Sequence, residues 1–206
     1  MSGLQAGALP DLVVVPEGTE RGVVVVLGGI RERSADYVFL LDILRSAGYR
    51  TVVFDDVSFD AEAARVGAEQ VLREYGGSGL LAVIGSDVGA VVAAELAIDR
   101  PGEVGALILA NIATSDTRLP PGLFLPAARR VPLPTLVFHG DSDEVTDVAD
   151  IAAWATELPF GALRIVRNGD HTLLSNASRR TVAASILLFV ERHEHGEAIL
   201  ADTFGR

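Results

Sequence analysis

Seven short runs rich in Val, Leu and Ile alternate with longer Ala-, Glu- and Arg-bearing stretches, and this alternation constrains the fold more than any other feature of the chain. The runs are "LVVV" (12–15), "GVVVVLG" (22–28), "TVVF" (51–54), "LLAVIG" (80–85), "ALILAN" (106–111), "TLVFHG" (135–140) and "ALRIVR" (162–167). Apolar runs of this kind belong to strands buried on both faces, as in a parallel sheet covered by helices. The stretches between them have helical period and predict helices near 34–47, 61–74, 88–99, 148–158 and 177–193. The expected fold class is α/β, a mostly parallel central sheet with helices on both faces. Reactive groups in such sheets gather at the carboxyl ends of the strands.

Length and composition narrow the class further. A chain of 206 residues is expected to form one domain, 1–206, with 191–206 as a tail, burying about 70% of the surface its unfolded chain would expose. Although 49% of the residues are apolar, Gly, Asp, Glu or Arg interrupts every apolar stretch before the roughly 20 residues of a membrane span. The start "MSGLQAGALPDLVVVPEG" lacks the basic and continuous apolar regions of a secretory signal, and there is no cysteine, so a cytoplasmic location is the default expectation. A net charge of −11 argues against nucleic acid and anionic membranes, which are bound through clustered Lys and Arg. The pair Arg129 and Arg130 reads as a solvated loop. The expected partner is a small-molecule substrate, with a homodimer possible if Ile199, Leu200 and Phe204 of the tail dock on a neighbour. His193 and His195 read as tail residues. No metal is expected, because no ligand spacing such as H-E-x-x-H is present, and no other cofactor is expected; "VLGGIRERS" lacks the spacing and Lys of a phosphate loop.

Three strand ends carry chemistry. The first is "VIGSDVGAVVAAELA", 83–97. A nucleophile elbow of the form G-x-S-x-G needs small residues two before and two after its centre, because strand and helix nearly touch there. Centred on Asp87, the turn has Gly85 and Gly89 at those places; centred on Ser86, it would have Ile84 and Val88. The aspartate therefore holds the nucleophile's position, with Ser86 as its neighbour. The second is "HGDSDEV", 139–145, offering Asp141 and Asp143 as acids; the third is "NGDHTLL", 168–174, with His171 before the final helix.

In this order the three segments, with "LGGIRERSADYVFLLDILRSAGYRTVVFDD" upstream, resemble the α/β-hydrolase superfamily over roughly 23–190. The resemblance implies Asp87 as nucleophile, Asp143 as acid and His171 as base, with the backbone N–H groups of Ile30 and Val88 as oxyanion hole. The superfamily's HG dipeptide reads Gly28-Gly29 here. The 112–134 segment, about two dozen Pro-rich residues, is too short for a helical cap, so an open site is expected. Gly29, Tyr37, Leu123 and Phe124 are candidate pocket residues, with Leu123, Phe124 and Leu125 as an apolar lip; Tyr37 also reads as a packing residue. Asp141 reads as a turn residue, Asp170 as a loop carboxylate, Asp55 and Asp56 as turn or capping residues, and His139 as a buried residue with a backbone partner.

A carboxylate attacking a saturated carbon forms an ordinary ester, whereas attack on an acyl carbon forms a reactive anhydride. An Asp87 nucleophile therefore favours an epoxide, an alkyl halide or a strained lactone. Haloalkane dehalogenases and epoxide hydrolases are similar in placing aspartate at the elbow, but this chain has Val88 where they commonly carry tryptophan, its one tryptophan is Trp154, and it lacks their cap and cap tyrosines. Between Asp87 and Asp143, His171 is expected to hold its proton tightly. Two further readings stay open: a non-covalent acid/base enzyme such as a lyase, cyclase or isomerase, and an inactive hydrolase-like scaffold.

Overall fold

The computed structural model describes residues 7–76, 79–114 and 118–194. Its centre is a seven-stranded sheet of β1 (Leu12–Val14), β2 (Gly22–Leu27), β3 (Tyr49–Phe54), β4 (Leu80–Ser86), β5 (Ala106–Ala110), β6 (Thr135–Gly140) and β7 (Gly161–Val166). The strands lie in the order β1-β3-β2-β4-β5-β6-β7; β1 runs antiparallel to β3 and every other pairing is parallel. The fold class read from the apolar runs is the one observed. Alternate residues of each central strand enter opposite layers, so that Val23, Val25 and Leu27 pack in one apolar cluster and Val24 and Val26 in the other.

Five helices complete those layers among the described residues: α1 (Val38–Ser46), α2 (Ala61–Tyr75), α3 (Val88–Asp99), α4 (Val148–Ala155) and α5 (Arg179–Glu194). The second cluster joins Leu40, Leu41 and Leu44 of α1 to Val182, Ile186 and Val190 of α5. The first takes in α2, Ile151 of α4 and the small buried residues of α3. None of these helices is long and apolar enough to cross a membrane.

Some expectations need adjustment. The helix expected over 34–47 divides into a 3-10 turn, Ser34–Tyr37, and α1, because the side chains of Asp36 and Asp55 take the N–H groups of Arg33 and Ser34 at the entry. The last helix runs through Glu194, so 191–194 are helical rather than tail. His195, Ile199, Leu200 and Phe204 lie outside the described residues. Between β5 and β6 the described chain forms one 3-10 turn, Ala128–Arg130, and no helical cap.

Candidate active site

Asp87 lies between the end of β4 and the start of α3 with φ 51° and ψ −116°, a backbone conformation that costs a residue with a Cβ. Close approach of three segments holds it there. A Cβ on Gly85 would lie 2.4 Å from the Gly89 carbonyl oxygen, and one on Gly89 would lie 2.1 Å from the Leu27 carbonyl oxygen. The Asp87 N–H donates to Ala110 O at 3.0 Å, and its carbonyl accepts from Ala90 N at 3.2 Å and Ala113 N at 3.3 Å. The result is an elbow that thrusts a nearly buried carboxylate over the strand ends.

Asp143 follows β6, and His171 stands in the loop between β7 and α5. Asp143 Oδ1 accepts from the N–H groups of Val145 and Thr146, and its Oδ2 lies 2.8 Å from His171 Nδ1. This leaves His171 Nε2 turned toward Asp87, 3.5 Å from Oδ1. Asn111, at φ 43° beyond β5, ties the loops together: its Oδ1 accepts from Gly140 N and its Nδ2 donates to Asp170 O. Asp87, Asp143 and His171, far apart in sequence, therefore converge.

Two side chains in this site were not legible beforehand. Arg118 grips Asp87 through both oxygens, Nε to Oδ1 at 2.6 Å and Nη2 to Oδ2 at 2.8 Å, and its Nη2 also lies 2.9 Å from His171 Nε2. Glu32 lies beneath the elbow, its carboxylate accepting from Gly29 N and the Tyr37 hydroxyl, both at 2.6 Å, and from the Ser86 hydroxyl at 3.0 Å. Burial outweighs those bonds and raises the Glu32 pKa. Of the two N–H groups expected to form an oxyanion hole, Ile30 donates to Asp87 Oδ2 at 3.1 Å. Val88 is buried at the first position of α3, and its N–H makes no bond to that carboxylate among the described residues.

The expected pocket residues divide. Gly29 lies against the site, since a Cβ there would meet Asp87 Cβ at 2.5 Å. Tyr37 is fully buried with its hydroxyl bound to Glu32, which makes it a packing residue and not a pocket wall. Leu123 joins the apolar cluster, Phe124 and Leu125 line a groove beside Glu95, Ile98 and Asp99 of α3, and the Trp154 indole fastens the segment by donating to Pro126 O at 2.8 Å. The other marked residues do local work. Asp141 accepts from Asn168 N, Asp55 from Ser34 N, Asp56 from Arg31 N and Asp170 from Thr172 N, while His139 is buried with its Nε2 3.0 Å from Thr146 O.

Burial alone would raise both carboxylates of the site, yet His171, Arg118 and the Ile30 N–H hold Asp87 below the ordinary range, and His171 with two backbone N–H groups does the same for Asp143. Burial would lower His171, but Asp143 and Asp87 outweigh it and push the imidazole up to about 9. The Arg118 N–H group works against that rise, because it faces the same nitrogen. Since the folded pKa exceeds the ordinary 6.5, the extra stability is fully present below about pH 6.5 and is lost as the pH rises through about 9. An NMR titration is expected to place the His171 midpoint above 6.5, toward 9; a midpoint at or below 6.5 would contradict this charge arrangement.

No protein-family model and no curated protein matches the chain. Solved structures do. It is similar to Est1E from Butyrivibrio proteoclasticus with TM-score 0.73 and 13% identity, over 92% of this chain and 99% of that one. A serine hydrolase involved in carbazole degradation, the CarC enzyme, superposes with TM-score 0.72 at 16% identity, over 87% and 93%. MGS-MChE2, an α/β-hydrolase enzyme from a metagenome of lagoon sediments at Mar Chica, Morocco, does so with TM-score 0.72 at 15% identity, over 87% and 94%. The sheet order, the elbow and these superpositions agree: the chain has the α/β-hydrolase fold.

Proposed function

We propose that the chain is a hydrolase that opens an epoxide, a carbon–halogen bond or a strained lactone through an alkyl ester on Asp87. The observation that carries this reading is the seating of Asp87 itself: an ionised carboxylate at the centre of the elbow, one oxygen on the Ile30 N–H and the other 3.5 Å from His171 Nε2. Asp87 Oδ1 forms a bond to a saturated carbon of the substrate as the leaving group departs with the bonding pair. Esterification neutralises Asp87, one of the two carboxylates that hold the His171 proton, and the imidazolium gives that proton to the departing alkoxide or to solvent. The neutral imidazole then takes a proton from water, and the hydroxide attacks Asp87 Cγ. The Ile30 N–H holds the resulting oxyanion. Collapse expels the substrate oxygen, which takes the proton from His171, and Asp87 is restored. Asp143 orients the imidazole and balances its charge.

Two of the fold's solved relatives bear the names of a serine hydrolase and an α/β-hydrolase enzyme, which supports hydrolysis as the reaction class. A carboxylate held below the ordinary range is a weak proton acceptor, so the site favours nucleophilic attack over non-covalent proton abstraction. Turnover in water enriched with oxygen-18 separates the two. Covalent hydrolysis is expected to place the label in the peptide containing Asp87. Product formation with the label only in the product would overturn the reading.

A further inference from the structure

We propose that Arg118 is the receptor for a carboxylate carried by the substrate, and that this carboxylate replaces Asp87 on the guanidinium before Asp87 reacts. The docking half of this inference stands on geometry alone; the reaction half rests on the proposed role of Asp87.

Arg118 closes the site as the structure stands. Its Nε and Nη2 form a fork on the two Asp87 oxygens, the planar match that makes arginine select carboxylates. With the Ile30 N–H on Oδ2 as well, both oxygens of Asp87 are engaged, and the guanidinium lies against Oδ1, the atom that is to attack. The Arg118 side chain is 24% exposed and that of Asp87 only 2%, so a molecule arriving from solvent meets Arg118 before Asp87. Nη1 has no hydrogen-bond partner among the described residues and offers its N–H groups as a landing point.

The energetics select the ligand. A neutral substrate that pushed Arg118 aside would leave the guanidinium without a carboxylate partner and Asp87 with only the Ile30 N–H and His171. A substrate carboxylate gives the guanidinium a new fork in place of the one on Asp87, so the cation stays paired while Asp87 keeps the Ile30 N–H and His171. The exchange frees Asp87 Oδ1 while the Ile30 N–H retains Oδ2, which leaves Oδ1 as the attacking atom and Oδ2 where an oxyanion would develop. It also removes the Nη2 contact from His171 Nε2, so that this nitrogen can turn its proton toward Asp87. A planar carboxylate fits better than a tetrahedral anion because it presents the same fork that Asp87 presents now. The substrate class is thus an electrophile with a carboxylate a few bonds from the reacting carbon.

The docking half is tested on the full chain by following the His171 imidazole resonances during titration with acetate, butyrate and benzoate, each paired with its uncharged amide. A saturable shift is expected with at least one carboxylate and with none of the amides. Arg118→Gln should weaken it by at least about tenfold, whereas Arg130→Gln, on the exposed 3-10 turn, should not change it. The inference is overturned if no carboxylate gives a saturable shift, if amides match the acids, or if Arg118→Gln leaves the response intact.

The reaction half uses 3-bromopropionate and 3-bromopropionamide with His171→Gln. Bond formation from Asp87 Oδ1 expels bromide with no proton needed, and the chain has no cysteine to compete for the probe. The acid should label Asp87 faster than the amide, and Arg118→Gln should erase or reverse that order. Equal labelling by both would sink the Arg118 assignment while leaving the nucleophile in place. Arg118-dependent carboxylate binding with no label from either probe would uphold the receptor and sink the covalent reading.

Discussion

Gly89→Ala is expected to destabilise the chain by roughly 3 kcal/mol or more, a melting-temperature drop of roughly 10 °C at this chain length. The added Cβ would lie 2.1 Å from the Leu27 carbonyl oxygen, 2.6 Å from its carbon and 2.9 Å from the Gly28 oxygen. These are backbone atoms of β2 and of the segment leaving it, fixed between β3 and β4, so no rotamer change can relieve the contact. Moving α3 away would pull on Asp87, whose backbone is bonded to Ala90, Ala110 and Ala113. Gly102→Ala is the matched control, since a Cβ there meets nothing within 4 Å, and its effect should stay within about 0.5 kcal/mol. Thermal melts of the two variants check the contrast, and equal stabilities would contradict the close-packed elbow.

The second large effect concerns His171→Gln. His171 is one of the groups that lower the Asp87 pKa, but Arg118 and the Ile30 N–H remain when it is replaced, so alkylation of the Asp87 oxygen should survive the substitution, most clearly with halides, which leave without taking a proton. Hydrolysis of the ester needs a base at the water, and loss of such a base slows a step by about 10² to 10⁴. The first step then outruns the second and the alkyl-enzyme accumulates. Glutamine can still donate a hydrogen bond toward Asp143, which limits disturbance of the buried acid.

Much of the fold was legible because the physics that builds it is local. Apolar runs of four to seven residues suit strands covered on both sides, as β2, β4, β5 and β6 are, and the β6 bounds, 135–140, agree in sequence and structure. The elbow was legible because Gly85 and Gly89 answer to steric contacts at fixed spacing. Asp143 and His171 follow strand ends, where spacing from a glycine marks the loop. Arg118 sits instead in a Pro-rich segment without periodicity, and its partners are 31 and 53 positions away. One signal could have found it: Asp87 and Asp143 bring two negative charges together against a single histidine, which calls for a counter-cation. The arginines of the 112–134 segment are Arg118, Arg129 and Arg130. The course of the Leu123–Leu125 stretch was hidden for a similar reason, because the Trp154 bond to Pro126 O just beyond it joins residues 28 positions apart. Glu32 was hidden for another reason: a charged residue in an exposed-looking loop gives no sign that Tyr37, Ser86 and Gly29 all turn toward it.

The role of Asp87 is the central claim, and the intact mass of His171→Gln tests it most directly. The variant is incubated with epoxides, alkyl halides and strained lactones, including carboxylate-bearing members of each, beside His171→Gln carrying Asp87→Asn. The expected result is a mass increase equal to one alkyl group, mapped to Asp87 and absent from the double variant. An unmodified mass with every probe, or the same adduct when Asp87 is asparagine, would contradict it.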